Sequence, residues 1–126
     1  MRPIPVGVVV LFASMLLLAP GAQAHHGKRC HTKTCEQRVK TKQQRAMVAP
    51  YADRLARIRR CESRGNYRAV DRSGSYRGAY QFDHQTWRSV GGRGDPAHAG
   101  RLEQDFRAAV LYKRRGAGPW PVCGYR

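Results

Sequence analysis

The sequence predicts a small α+β domain that is mainly helical, with one short β-hairpin and disulfide cross-links. Three stretches repeat apolar residues at helical spacing between residues that are typical of helix ends. A glycine- and tyrosine-rich stretch lies between the first two of them, and four cysteines are available for pairing. Because the chain has 126 residues, we expect one folded domain and exclude a multidomain enzyme.

The charge balance of the chain is strongly basic. Lys and Arg together number 24 against 8 Asp and Glu, which gives a formal net charge of +16. Most of the cations are Arg, whose side chain stays charged at any working pH and binds carboxylates and phosphates through two nitrogens. An acidic disordered protein is therefore excluded, and an anionic partner is expected.

Residues 1–24 have the organisation of a secretory signal peptide. Arg2 precedes an apolar run over residues 6–18, and Ala22 and Ala24 are the small residues expected before a signal-peptidase cut. An uncleaved membrane anchor is the alternative, but the run is shorter than the roughly 18 apolar residues that a span needs. We therefore expect a secreted mature chain over residues 25–126, without stable membrane insertion.

The four cysteines of the chain allow three pairings. Export would place them in an oxidising compartment, where paired thiols become disulfides that stabilise small domains. Cys30 and Cys35 are close in sequence, whereas Cys61 and Cys123 bracket most of the remaining chain. We favour the pairs Cys30–Cys35 and Cys61–Cys123.

A metal site is the alternative for the first pair, because histidines surround it. The cluster comprises His25, His26, Cys30, His31 and Cys35. Its spacing matches no zinc module, and an exported cluster of this kind favours the disulfide. We expect no metal and no organic cofactor.

Composition separates a basic arm, residues 25–48, from the folded domain, residues 49–126. The arm carries Lys and Arg against the single acidic residue Glu36, and it has few apolar side chains. Such a segment is not expected to build a core. We interpret it as a cationic arm with a small disulfide loop, and the alternative is a solvated spacer.

Helix start and stop signals divide the folded domain into elements. The first predicted helix covers residues 50–63, and the second runs from the N-cap Asp83 to Val90 with Trp87 in the core. The third and longest covers residues 97–115 and ends at a glycine. Residues 67–82 are expected to form a small hairpin or an irregular loop.

Glu62 is the candidate catalytic residue. It continues the apolar stripe of Tyr51, Leu55 and Ile58, so its carboxyl group is expected to face the core side of the first helix. Burial raises the pKa of a carboxylic acid, which allows it to hold a proton near neutral pH as a general acid does. The alternative is a structural ion pair with Arg59, which would keep Glu62 ionised.

Four sequence blocks resemble the transglycosylase-like domain of bacterial resuscitation-promoting factors. They are CESRGNY at residues 61–67, GAYQF at 78–82, QTW at 85–87 and GPWPVC at 118–123. The blocks occur in the family's order, and the resemblance covers residues 54–124. Two positions depart from the family pattern, because Arg64 replaces a small glycine and Tyr67 replaces a tryptophan.

The resemblance implies a lysozyme-like fold, a bacterial cell-wall location and activity on peptidoglycan. Glu62 falls at the position of the family's catalytic Glu, which cleaves the β-1,4 bond between N-acetylmuramic acid and N-acetylglucosamine. The family also pairs the cysteines at the positions of Cys61 and Cys123. We expect a monomer that binds glycan strands, while the basic arm attracts anionic wall polymers.

Sugar clefts combine hydrogen-bonding groups with aromatic platforms, so we place Tyr76, Gln81 and Trp120 along the glycan. Tyr80 fits either the cleft or the core. A second catalytic carboxylate would have to be Asp71 or Asp83, which turn and N-cap roles explain equally well. A mechanism with a single Glu is therefore preferred, as in lytic transglycosylases.

Two other functions compete with the enzyme. The first is a non-catalytic cationic protein that binds wall polymer or nucleic acid, although no nucleic-acid motif is present. The second is a secreted adhesion ligand, for which residues 93–95, Arg-Gly-Asp, would be the recognition tripeptide. Neither of them needs Glu62.

Overall fold

The computed structural model describes residues 32–126 and is mainly helical, as predicted. Its four α-helices are α1 over Lys33–Val48, α2 over Ala52–Ser63, α3 over His84–Ser89 and α4 over Arg101–Arg115. Short 3₁₀ turns occur at Ala49–Tyr51, Pro96–His98 and Cys123–Tyr125. Among these residues, no helix is both long and apolar enough to cross a membrane.

The first two predicted helices are confirmed as α2 and α3. The predicted start at Pro50 belongs to the 3₁₀ turn that leads into α2. Asp83 caps α3, because its carboxylate accepts a hydrogen bond from the Thr86 amide at 2.7 Å. Trp87 is fully buried, as expected for a core residue.

The third predicted helix begins later than expected. Its first residues form the separate turn Pro96–His98, which Asp95 caps by accepting a hydrogen bond from the Ala97 amide at 2.9 Å. Ala99 and Gly100 are extended, so α4 begins at Arg101. Its predicted end is confirmed, since Gly116 is the C-cap with a φ of 59°.

Residues 33–48 of the predicted basic arm form the helix α1, which is packed against the domain. Its Lys, Gln and Arg residues favour helix, and the hydroxyl of Thr32 caps the Cys35 amide. The helix packs against α4: the buried Gln44 donates a hydrogen bond to Glu103, and Met47 and Val48 lie against the core. The buried residue of α1 is the polar Gln44, so hydrophobic periodicity did not reveal the contact.

The predicted hairpin is absent from residues 67–82. The stretch contains only two isolated bridges, between Val70 and Arg77 and between Arg77 and Phe82. Gly74, with a φ of 75°, lies in the turn between Val70 and Arg77, and Gly78, with a φ of 78°, turns the backbone directly after Arg77. The segment is therefore a folded loop.

The side chain of Gln104 on α4 holds this loop by hydrogen bonds. It is completely buried, and its Oε1 accepts a hydrogen bond from the Ala79 amide at 2.9 Å. Its Nε2 donates to the carbonyls of Tyr67 and Ala99, each at 2.9 Å. A Cβ at Gly78 would lie 2.4 Å from Gln104 Oε1, so glycine is required where the loop crosses α4.

The core lies between α2, α3, α4 and the segment that ends the chain. Leu55 and Ile58 of the predicted stripe on α2 are completely buried. Aromatic rings fill the centre, with the Phe82 and Trp87 rings meeting edge to face at 5.2 Å. On α4, Ala109 is buried, whereas Leu102, Phe106 and Val110 are half-buried.

The predicted disulfide between Cys61 and Cys123 is present, with a Cα–Cα distance of 5.6 Å. Cys35 is also disulfide-bonded. Its predicted partner, Cys30, lies outside the described residues, as do the predicted signal peptide and the histidines of the alternative metal cluster. Within the described part of the chain, no group of metal-binding side chains is assembled.

Candidate functional site

Glu62 lies in the last turn of α2 and lines a cleft of about 380 Å³. The cleft brings together all four side chains that the sequence assigns to the site, because Tyr76, Gln81 and Trp120 line it as well. The remaining lining residues come from the C-terminal segment: Pro119, Pro121, Val122 and Cys123.

The disulfide assembles the two sides of this cleft. Cys61 immediately precedes Glu62 on α2, and Cys123 follows the segment of residues 119–122. The covalent bond therefore keeps the C-terminal segment beside the helix end that carries the carboxylate.

The Glu62 carboxylate has no hydrogen bond or ion pair with any residue in the range 32–126. The side chain is half-buried, and burial alone raises its pKa above the ordinary value of 4.5. A carboxyl group with a raised pKa in an open cleft is suited to donate a proton to a bound substrate.

Arg59 does not form the ion pair with Glu62 that was the structural alternative. Its guanidinium donates a hydrogen bond to the Tyr80 hydroxyl at 3.3 Å and lies 3.8 Å from the Asp105 carboxylate. It also lies over the Tyr67 ring, 6.0 Å from the ring centroid. The Arg three residues before Glu62 on α2 is thus engaged elsewhere.

The two departures from the family pattern have identifiable structural roles. Arg64 is the C-cap of α2 in a left-handed conformation with a φ of 56°, and its side chain is exposed. The Tyr67 hydroxyl donates a hydrogen bond to Asp105 at 2.7 Å. Burial and this bond raise the pKa of Tyr67 to about 12, so it stays a neutral donor.

Hydrogen bonds within the loop hold the cleft residues Tyr76 and Gln81. Tyr76 is half exposed, and its amide donates to the Asp71 carboxylate at 2.8 Å. Gln81 has a φ of 50°, an uncommon conformation for a residue other than glycine, and its Nε2 donates to the Gly78 carbonyl at 3.0 Å. Backbone strain of this kind is found preferentially at functional sites.

Trp120 lines the cleft, and only 4% of the residue is exposed. Its indole N–H donates to the Tyr80 carbonyl at 2.9 Å, and its ring stacks on Tyr112. Tyr80, which the sequence left undecided, is completely buried and donates to Asp105 at 2.5 Å. Tyr80 is therefore a core residue.

Neither candidate for a second carboxylate lines the cleft around Glu62. The side chain and amide of Ser73 and the amide of Tyr76 donate to Asp71, and these bonds lower its pKa to about 2. For Asp83, burial works in the opposite direction, but the hydrogen bonds from Thr86 and neighbouring amides lower its pKa overall. Both groups serve the turn and cap roles that the sequence allowed.

A second cavity of about 250 Å³ lies beside the cleft. It shares Tyr76, Gln81, Pro119 and Trp120 with the Glu62 cleft, and Asp83 and Arg115 are among its other lining residues. The two cavities therefore adjoin each other at these shared residues.

The Arg-Gly-Asp tripeptide is not a free loop. Asp95 accepts a hydrogen bond from Arg77 at 3.1 Å in addition to capping the Pro96–His98 turn. The carboxylate that an adhesion ligand would present is therefore engaged within the fold.

Gln104 and Asp105 are the supporting residues that the sequence reasoning missed. Gln104 precedes the buried Ala108 and Leu111 by four and seven residues, so helical periodicity alone marks it as a core position. No pattern in the sequence marks Asp105, because its partners come from distant parts of the chain.

Comparison with known proteins gives a consistent family assignment. The model of the family described as transglycosylase-like domain matches residues 49–123. The chain is 37% identical over 78 residues to resuscitation-promoting factor Rpf of Micrococcus luteus, an alignment that covers 62% of this chain and 34% of Rpf.

Two further relatives show similar identity. Resuscitation-promoting factor RpfE of Mycobacterium tuberculosis is 41% identical over 69 residues, covering 55% of this chain and 40% of RpfE. Probable transglycosylase SceD of Staphylococcus aureus is 42% identical over 72 residues, covering 54% of this chain and 31% of SceD. The chain thus spans less than half the length of these relatives.

The family match also confirms the expected lysozyme-like fold class, and the chain belongs to the transglycosylase-like domain family.

Proposed function

We propose that this protein cleaves peptidoglycan at the β-1,4 bond between N-acetylmuramic acid and N-acetylglucosamine. The observation that carries the proposal is the Glu62 carboxyl group, which is half-buried and lines a cleft without an ion-pair partner among residues 32–126. Its raised pKa is the property that a general acid for glycosidic cleavage requires.

Glu62 acts first as an acid. It protonates the glycosidic oxygen, the bond from that oxygen to the anomeric carbon breaks, and positive charge develops on the sugar. Tyr76 and Gln81 support this step by binding the sugar ring beside the carboxyl group, since both line the same cleft. The second cavity beside the cleft supports a substrate with more than one sugar.

Glu62 acts next as a base. Asp71 lines neither cavity, and Asp83 lines only the adjoining one, where its carboxylate is bound to Thr86 as the cap of α3. This favours an internal nucleophile over a water activated by a second carboxylate. The C6 hydroxyl of the muramic acid loses its proton to Glu62, and its oxygen bonds to the anomeric carbon. The product is a 1,6-anhydro sugar, and Glu62 returns to its protonated form.

Export to the cell wall belongs to this proposal. Residues 1–24 have the pattern of a signal peptide, and peptidoglycan lies outside the cytoplasmic membrane. We propose that the mature chain, residues 25–126, works there as a monomer without a cofactor.

Mass spectrometry of released muropeptides tests the activity. Purified peptidoglycan is digested with the oxidised mature chain and with Glu62→Gln at the same concentration. We expect 1,6-anhydromuramic ends from the wild type and none from the variant. Reducing ends would replace the internal nucleophile with water, and release that survives in Glu62→Gln would overturn the assignment of Glu62.

A cationic wall-binding role is the second candidate, and α1 favours it. This helix exposes Lys33, Arg38, Lys40, Lys42 and Arg45 on a rigid element that is packed against the domain. Binding of a polymer with phosphate groups should weaken as salt is added. Salt-sensitive sedimentation of Glu62→Gln with whole walls, without any cleavage by wild type, would make binding the principal function.

A further inference from the structure

We propose that Asp105 is a positioning residue that holds the Arg59 guanidinium away from the Glu62 carboxyl group. The inference rests on the proposed role of Glu62 and adds a residue from α4 to the groups that control it. Asp105 does not line the Glu62 cleft, and its proposed effect on Glu62 passes through Arg59.

Arg59 and Glu62 are natural partners on α2. Residues three apart on a helix lie on adjacent faces, and an Arg and a Glu at this spacing commonly form an ion pair. Such a pair would stabilise the ionised form of Glu62 and make it a poor proton donor. For Glu62 to stay unpaired, another interaction must hold the Arg59 guanidinium.

Asp105 provides this interaction in a cluster with the side chains of Arg59, Tyr67 and Tyr80. Its Oδ1 accepts hydrogen bonds from the hydroxyls of Tyr67 and Tyr80, at 2.7 and 2.5 Å. The Arg59 guanidinium contacts the same cluster, because it donates to the Tyr80 hydroxyl at 3.3 Å and lies 3.8 Å from Oδ1 of Asp105. About 20% of the Asp105 side chain and 30% of the Arg59 side chain are exposed, so water screens the pair only in part.

The other charged groups around Glu62 do not replace this effect. From the loop of residues 67–82, Tyr76 is the titratable group in the cleft, and the C-terminal segment contributes no charged side chain to it. Asp83 and Arg115 line the adjoining cavity. Arg59 is thus the cation on α2 whose position decides whether Glu62 is paired.

A double-mutant cycle read by NMR tests the proposal without substrate. The carboxyl carbon of Glu62 is titrated in wild type, Asp105→Asn, Arg59→Gln and the double variant. The chain has only the glutamates Glu36, Glu62 and Glu103, and Glu62→Gln assigns the signal. Near-UV circular dichroism checks that each variant is folded.

We expect Asp105→Asn to lower the Glu62 pKa in the wild-type background and to have little effect when Arg59 is already Gln. An equal fall in both backgrounds would show a direct effect of the Asp105 charge and overturn the proposal. Asp53→Asn, an exposed carboxylate in the first turn of α2, controls for the loss of one negative charge and should leave the titration unchanged.

Arg59→Gln alone tests the same relationship if Asp105→Asn does not fold. Because Arg59 is already held away, we expect the Glu62 titration to change little. A marked rise would show that Arg59 acts on Glu62 in the native protein, contrary to the proposal. These titrations do not depend on cleavage, so the proposed activity can fail while the positioning role stands, and the reverse also holds.

Discussion

The hydroxyl of Ser63 donates a hydrogen bond to the carbonyl of Ala79 at 2.9 Å. Ser63 directly follows Glu62, and Ala79 belongs to the loop that carries Tyr76 and Gln81. Together with the hydrogen bond from Arg59 to Tyr80, this bond holds the helix end that carries the carboxyl group against the loop. The geometry of the cleft therefore depends on a residue that does not line it.

Replacement of Ser63 by Ala should reduce both stability and cleavage. The Ala79 carbonyl would lose this donor in a region where Ala79 is completely buried, and such a loss typically costs about 1–3 kcal/mol. Urea unfolding measures the change in the free energy of unfolding, and muropeptide release measures activity. Ser89→Ala, which removes an exposed hydroxyl that donates to Thr86, is the control with a small expected effect. Equal effects of the two substitutions would contradict the role given to Ser63.

The pH dependence of stability should report the burial of Glu62. The folded state raises the pKa of Glu62 above 4.5, so it binds more protons than the unfolded state in the interval between the two values. The contribution of Glu62 to stability therefore falls as pH rises through this interval. We expect Glu62→Gln to gain stability relative to wild type as pH is raised, with the difference constant at higher pH.

Thermal unfolding from pH 4 upward measures this difference. Glu36→Gln removes the same charge from an exposed position on α1 and should not reproduce the rise. A constant difference between wild type and Glu62→Gln across the range would show that burial does not raise the pKa of Glu62. Activity should fall over the same interval as stability, because the proton that Glu62 donates is lost there.

Local signals in the sequence predicted the parts of the site that belong to single elements. Glu62 was found because it continues a helical stripe, and Asp83 because its position before a helix is typical of an N-cap. The Cys61–Cys123 bond was favoured from spacing and was also implied by the family. Tyr76, Gln81 and Trp120 followed from the chemistry of sugar binding, and they line one cleft.

The features that were missed depend on contacts between distant residues. Asp105 gains its role from Tyr67 and Tyr80, which lie 38 and 25 residues away in the chain. Of the two predictions for residues 67–82, the structure has the irregular loop and not the hairpin, because the bridges in it are isolated. Helix α1 has a weak apolar face, so only its tertiary partners on α4 show that it is part of the domain.

Loss of the Cys61–Cys123 disulfide should destabilise the domain strongly. The bond closes a loop with a sequence separation of 62 residues, for which chain entropy gives a stabilisation of about 4 kcal/mol. We expect the double substitution Cys61→Ser and Cys123→Ser to lower the unfolding midpoint and to reduce cleavage, since the C-terminal wall of the cleft is released. Reductant should lower the midpoint of wild type far more than that of the double variant. Equal responses would assign the stabilisation to another bond.

Truncation before Ala49 should destabilise the fold even though the family match begins at that residue. Removing α1 leaves Glu103 without its hydrogen bond from Gln44 and uncovers the core surface beneath Met47 and Val48. Partly buried apolar side chains contribute roughly 25 cal/mol for each Å² removed from water, so two such residues are worth a few kcal/mol. We expect a chain that begins at Ala49 to unfold at lower temperature than one that begins at Lys33.

Calorimetry of the two chains measures the loss, and Gln44→Ala in the longer chain separates the hydrogen bond from the apolar packing. Gln44→Ala should account for about 1 kcal/mol, with the remainder due to Met47 and Val48. If both chains unfold at the same temperature, α1 is an attached helix, and its cations serve wall binding alone. If the shorter chain is destabilised but still cleaves peptidoglycan, α1 supports the fold without shaping the Glu62 cleft, which agrees with its absence from the cleft lining.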